Sequence, residues 1–304
     1  MALITVVGSI NMDLVVRAPR FAHPGETITG ESFLTVPGGK GANQAVAAQR
    51  LGGTVAMIGG VGEDAFGASM AQGLADEGID VRHVDVRGGR ASGVALITVN
   101  ADGENTIIVV PGANGALTTD DVTLARDVVL STDVLLLQLE IPMAVVQAAA
   151  AIAHDAGRTV ILNAAPAAIL PDSLLPLVDY LIVNETELFT VAGPAARDQQ
   201  AAITGLHDRG ASAIVVTLGG AGARLVPRDQ APTLVHAYTV DVVDTTAAGD
   251  AFVGAFAVAL SEGLPPMEAL RRGNAAGALT VTRAGAQPSL PTRDEVDAWL
   301  SAHQ

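Results

Sequence analysis

From about residue 54 onward, apolar runs of four to six residues alternate with Ala-rich segments of helical period, and few folds accommodate that rhythm. The runs cover residues 55–58, 134–139, 159–162, 180–183 and 213–217, and the helical segments cover 66–77, 143–156, 185–191 and 196–209. Strands apolar on both faces must be covered on both. The pattern therefore predicts a mainly parallel sheet between layers of helices, an α/β fold. A chain of 304 residues that is 49% hydrophobic can bury a large core, and neither an internal repeat nor a long charged linker divides it, so one α/β domain over 1–304 is expected.

Two segments break the rhythm. Residues 13–37 and 93–111 are rich in Val, Ile and Thr and contain turn signals at Pro24-Gly25 and Asp102-Gly103. They predict hairpins outside the parallel layers. Either they form a small antiparallel sheet standing off the core as a lid, or they extend the edges of the main sheet.

Composition narrows the chemistry. A net charge of −15 leaves no clustered Lys and Arg for nucleic acid, so small-molecule chemistry is expected. The absence of cysteine excludes disulfides, thiolate nucleophiles and zinc-thiolate sites. Residues 1–16 lack a basic n-region and read as a first strand ending at Gly8, and Asp133 and Glu140 bound the most apolar stretch. No membrane partner is expected, and cytoplasmic residence is. The six histidines have no metal-ligand spacing.

The strongest motif is Asp244-Thr245-Thr246-Ala247-Ala248-Gly249-Asp250, which opens an apolar helix. Small residues there leave first-turn N–H groups free to face an anion, and the helix dipole adds to the attraction. Asp250 in that turn reads either as a general base aimed at the bound group or as an ordinary N-cap. A second motif, Pro37-Gly38-Gly39-Lys40-Gly41-Ala42-Asn43-Gln44, lacks the spacing of a P-loop, since Leu34 stands where its first Gly would be. Its glycines still permit close backbone approach, and Lys40 is the single lysine among 17 basic residues. Asn184 and Glu187 share a helical face, either to order phosphate and a hydrated magnesium or as a cap and its capping-box partner. Glu140, Asn11 and Asp13 follow strands at a carboxyl edge, where α/β sheets bind ligands or end in solvent. Gly60-Val61-Gly62-Glu63-Asp64-Ala65 imitates a dinucleotide fingerprint, but its carboxylates oppose a pyrophosphate and neutralise the helix entrance themselves.

Taken together these motifs resemble the ribokinase-like carbohydrate kinase family over essentially the whole chain. The resemblance is carried by Gly8-Ser9-Ile10-Asn11-Met12-Asp13, Pro24-Gly25-Glu26-Thr27, the second motif above, Gln138-Leu139-Glu140, Asn184 to Glu187, Thr217-Leu218-Gly219-Gly220-Ala221-Gly222, the Asp244 motif and Gly285-Ala286-Gln287-Pro288-Ser289. It implies ATP-dependent phosphorylation of the primary hydroxyl of a sugar, ribose being favoured. By resemblance Asp250 is the base, and Ala247, Ala248 and Gly249 form the anion hole. Asn11, Asp13, Gly38, Gly39, Lys40, Asn43 and Glu140 would hold the sugar. Asn184, Thr217, Gly219, Gly220, Gly222 and Asn274 would face ATP, and Glu187 would organise Mg2+. A K+ site would be made by Asp244, Thr246, Thr280, Arg283, Gly285 and Ser289, mostly through backbone carbonyls. The lid would also form a homodimer contact. The loop reads Thr-Ala-Ala-Gly-Asp where many relatives have Gly-Ala-Gly-Asp, and Ala251 replaces a common Thr; neither change removes a catalytic group. The alternatives are a kinase for fructose, deoxyribose, a nucleoside or a keto-deoxy acid, and a non-catalytic sugar-binding protein. Only 3% of the chain is aromatic, which disfavours a nucleoside.

Overall fold

A computed structural model describes residues 2–303. Nine strands form the main sheet in the spatial order Thr233–Val235, Ala223–Pro227, Ala213–Thr217, Tyr180–Asn184, Thr159–Asn163, Val134–Leu137, Leu3–Val7, Thr54–Gly62 and Asp80–Arg87. All neighbours from Ala213–Thr217 to Asp80–Arg87 pair in parallel, and the two strands beyond Ala213–Thr217 pair antiparallel. The apolar runs behave as a doubly covered sheet requires. Along Val134–Leu137, Leu136 joins one core with Val6, Ile161 and Val215, whereas Leu135 and Leu137 join the other with Val7, Leu162 and Val216.

The chain leaves Leu3–Val7 toward Thr54–Gly62 on one side and returns to Val134–Leu137 on the other. Strand order therefore reverses between Leu3–Val7 and Val134–Leu137, and a crevice opens at their carboxyl ends. Three helices close one wall of this region: Lys40–Arg50, Ala248–Ser261 and Pro266–Val281. A Cβ on Gly254 would lie 2.6 Å from Ala47 Cβ, so the small residues facing one another let the first two of these helices approach closely.

The hairpins predicted at 13–37 and 93–111 form a separate four-stranded sheet and do not extend the main one. Asn11–Arg17 pairs antiparallel with Ser32–Gly38, Gly93–Val99 pairs antiparallel with Asn105–Val110, and the two hairpins join along a parallel seam between Asn11–Arg17 and Gly93–Val99. Phe33, Leu34, Leu96 and Ile107 to Val110 are exposed on it.

Asp64 caps the helix Ala65–Asp76, accepting from Gly67 N–H at 2.8 Å and also from Ser92, as expected for a helix entrance neutralised by its own carboxylate. Among the described residues no helix is long and apolar enough to cross a membrane.

Candidate active site

The floor of the crevice is built by backbone pressed on backbone. A Cβ on Gly41 would stand 2.5 Å from Ser9 N, and Gly39, with φ 87°, would put one 2.7 Å from Asn11 N. Only glycine at both positions lets the Lys40–Arg50 helix start against the loop after Leu3–Val7. Glu140 ties the two segments together. Its Oε2 accepts from Ser9 Oγ at 2.5 Å, Lys40 N at 3.0 Å and Asn11 Nδ2 at 3.4 Å, while Ser9 Oγ accepts from Gly41 N at 3.2 Å. Asn11 Oδ1 accepts from Asn114 Nδ2 at 2.7 Å. Asp13 lies beside Gly38, its carboxylate filling the space a Cβ there would need.

Asp250 faces this floor. The cap of Ala248–Ser261 is Ala247 in the left-handed region at φ 59°, with no side-chain cap bond, so Asp250 is not the N-cap. Its buried carboxylate accepts from Asn43 Nδ2 and Gln44 Nε2, each at 3.0 Å. Space in front of the first turn is open, since a Cβ on Gly249 would meet nothing within 4 Å.

Charge is concentrated here. Burial raises the pKa of Asp250 and Glu140 adds to the rise, against the opposing pull of Lys40, Asn43 and Gln44. Asp13 is pushed up to about 7 by burial, Glu140 and Asp250, with Lys40 opposing. Burial alone would lower the pKa of Lys40, but Asp250, Glu140, Glu187 and Asp13 outweigh it and the net shift is upward. The lone lysine is thus a cation among four carboxylates.

The remaining predicted residues gather at the adjoining strand ends. Asn184 and Glu187 form a reciprocal capping box at 2.8 Å in each direction, the second of the two readings open from sequence. Thr217 Oγ1 donates to Val183 O at 3.4 Å. Gly219, with φ 54°, and Gly220 face open space, whereas Gly222, with φ 109°, packs directly on the backbone of residues 235–237. Asn274 holds the same backbone, donating to Val235 O at 2.9 Å and His236 O at 3.2 Å.

Asp244 joins the segments of the expected cation site. Its Oδ1 accepts from Thr246 N at 2.9 Å and Thr246 Oγ1 at 2.6 Å, and its Oδ2 accepts from Gly285 N at 2.9 Å. Burial opposes its charge, but these bonds and Arg17 hold its pKa below the usual value. Thr280 and Ser289 are buried, their hydroxyls bonded to Ala276 O and Ala286 O. The Arg283 guanidinium pairs with Glu295 at 2.5 Å, which leaves its backbone as the part available to a ligand. Among the described residues no three His, Asp or Glu side chains cluster as metal ligands.

Ser9, Gln44, Asn114, Gln138 and Asn163 are buried around the site, and the sequence reading gave them no role. Gln138 interrupts the apolar run 134–139 and Asn163 follows the run 159–162, a signal that was available. A separate concavity lined by Ile203, His207 and Arg228 lies against the helix Gln199–Asp208 and contains none of the predicted residues.

Residues 1–293 match the family described as pfkB family carbohydrate kinase. Ribokinase of Haemophilus influenzae is 44% identical over 98% of both chains. A ribokinase structure from Thermotoga maritima superposes with a TM-score of 0.91 at 36% identity, covering 99% of this chain and 100% of that one. The Arabidopsis thaliana ribokinase complexed with ribose and ATP gives 0.90 at 36% identity over 99% of each chain.

Proposed function

This chain belongs to the pfkB family of carbohydrate kinases, and we propose that it transfers the terminal phosphoryl group of ATP to the primary hydroxyl of ribose, giving ribose 5-phosphate and ADP. The observation that carries the reading is the pairing of a buried Asp250 carboxylate with a helix start that no side chain caps. Asp250 takes the hydroxyl proton as the sugar oxygen forms a bond to the γ-phosphorus and the bond from that phosphorus to the β–γ bridging oxygen breaks. The N–H groups of Ala247 and Gly249 receive the charge on the transferring phosphoryl group, joined by that of Ala248, which otherwise donates to Thr245 O at 3.3 Å. Retention of Asp250 in this setting favours a catalyst over a sugar-binding protein on the same fold. A cytoplasmic location belongs to the same reading, since ATP is the co-substrate.

Asn11, Asp13, Gly38, Gly39, Lys40, Asn43 and Glu140 would hold the sugar. Asn43 Oδ1 is buried without a partner, an acceptor matched to a sugar hydroxyl. A coupled ADP-release assay across ribose, 2-deoxyribose, fructose and a nucleoside tests the substrate, ribose being expected to give the highest kcat/KM. Within that assay, Glu140→Ala and Asn43→Ala should each raise the KM for ribose by about tenfold or more, because hydroxyl contacts act in ground and transition states alike. A change confined to the KM for ATP would show that the cleft has been divided wrongly.

Asn184, Thr217, Gly219, Gly220, Gly222 and Asn274 would line the nucleotide side. A Mg2+ would be carried mainly by the phosphates and water, with Glu187 ordering that water. Such an ion would supply charge neutralisation to the phosphates of the nucleotide. The oxygens of Asp244, Thr246, Thr280, Arg283, Gly285 and Ser289 are a hard donor set suited to K+, which would stiffen the loop that holds the anion hole.

The small sheet fits a lid whose exposed face docks on a second copy. Ile108 is 64% exposed and Phe33 60% exposed, a patch that a stable monomer rarely leaves uncovered. Sedimentation velocity at micromolar concentration should show a dimer, with Ile108→Glu restoring the monomer mass. A wild-type protein sedimenting only as monomer would exclude this contact.

A further inference from the structure

Three buried amides stand behind Asp250: Gln44 on the helix Lys40–Arg50, Gln138 just past Val134–Leu137, and Asn163 at the end of Thr159–Asn163. A buried amide is costly unless its donors and acceptors are met, so the partners each one takes are informative.

Their bonds run in one direction. Gln138 Nε2 donates to Gln44 Oε1 at 2.6 Å, which turns Gln44 Nε2 the other way. There it donates to Asp250 Oδ1 and to Asn163 Oδ1, each at 3.0 Å. Asn163 gives its own Nδ2 to Ile182 O at 3.3 Å, so its carbonyl is what Gln44 meets. With Gln44 reversed, a carbonyl would face a carboxylate and a second carbonyl. Gln138 is placed by close packing, its Oε1 lying where a Cβ on Gly8 would sit and having no hydrogen-bond partner among the described residues. The charged groups around Asp250 are Lys40, Glu140 and Asp13, with Glu187 also facing Lys40. Among the described residues only Asn43 and Gln44 hydrogen-bond the Asp250 carboxylate, one on each oxygen.

We infer that Gln44 is a positioning residue for Asp250, with Gln138 and Asn163 fixing which end of the Gln44 amide meets the carboxylate. The inference rests on Asp250 being the base of the kinase reaction. Asn43 reaches the carboxylate from the proposed sugar wall and keeps an acceptor free for substrate. Gln44 has both ends committed inside the protein, so it acts on orientation and leaves binding alone.

Gln44→Met keeps the length of the side chain and removes donor and acceptor together. With saturating ribose, ATP and magnesium, kcat should fall by about tenfold to a hundredfold, the cost of a misaimed reacting group. The KM values for ribose and ATP should stay within about threefold of wild type. The acid limb of the kcat profile should move to higher pH, because the carboxylate has lost a donor that favours its ionised form. Gln138→Met should give the same signature more weakly, and it carries the test alone if Gln44→Met does not fold. Thermal melting of each variant reports the folded fraction. An unchanged kcat, or a kcat loss that merely follows the folded fraction with the acid limb unmoved, overturns the inference while leaving the kinase reading intact. Wild-type protein that releases no ADP with any sugar of the panel sinks the kinase reading, and the inference with it.

Discussion

Asp250→Asn should lower turnover by roughly 10²–10⁴, about 3–5 kcal/mol in the barrier, while ATP binding measured by calorimetry changes little. The substitution keeps the shape of the side chain but removes the group that takes the proton. It also leaves Asn43 Nδ2 and Gln44 Nε2 facing an amide where both now donate to a carboxylate. Turnover within a factor of two of wild type would remove Asp250 from the mechanism. The pH dependence follows from the same residue. Burial raises its pKa and only the ionised form accepts a proton, so activity should be full above that pKa and fall as the pH drops through it. Asp13, pushed up to about 7 a short distance away, titrates in the same field, so the acid limb belongs to the cluster and not to one carboxylate.

Exchange of potassium for sodium, at constant ionic strength and saturating ribose, ATP and magnesium, should cost about tenfold or more in rate. The physical reason lies in Asp244. One carboxylate bonds Thr246 and Gly285, while the N–H groups of Val243 and Asp244 both reach Val281 O at 2.7 and 3.2 Å, so two distant segments meet directly before Ala247. Misplacing oxyanion-hole donors costs on the order of 10²–10³ in other enzymes, and a partly ordered loop should lose a fraction of that. Sodium is smaller and holds its water more tightly, so a cage of backbone carbonyls suits it less. Asp244→Asn should flatten the potassium response while leaving the KM for ribose within about threefold. Equal rates of the wild type in both salts would sink the site.

The parallel strands were legible because their apolar runs are continuous, and Ala213–Thr217 matches its predicted span residue for residue. The strand expected over 134–139 stops at Leu137, which leaves Gln138 and Glu140 free of the ladder to turn inward. Asp80–Arg87 went unread because Asp, Arg and His alternate through an edge strand and mask its period. The antiparallel edge of Ala223–Pro227 and Thr233–Val235 is too short to stand out from turn residues. In the site, Lys40 and Asp250 announced themselves by chemistry and context. Gln44 did not, since an amide in an Ala-rich helix looks the same whether it meets solvent or a buried carboxylate. Its part depends on two strand ends more than 90 residues away, at Gln138 and Asn163, which no local pattern brings together.

Asn11, Asp13 and Gly38 belong to the small sheet and not to the main one: Asn11 begins one strand and Gly38 ends its neighbour, Asn11 is paired to Gly38 and Gly93, and Asp13, two residues further along, is paired to Val36 and Ala95. On the proposed assignment of Asn11 and Asp13 to the sugar, a tilt of that sheet about the loop at residues 8–11 would not leave the pocket whole, because pocket and flap are one piece of backbone. Recognition would then act as a latch. A sugar whose hydroxyls engage Asn11 and Asp13 would draw the flap down by the same contacts that hold it, and a sugar lacking one of them would leave the flap swinging. Discrimination between pentoses would then be set as a ratio of escape to commitment, so a poor substrate would leave before the phosphoryl group moves.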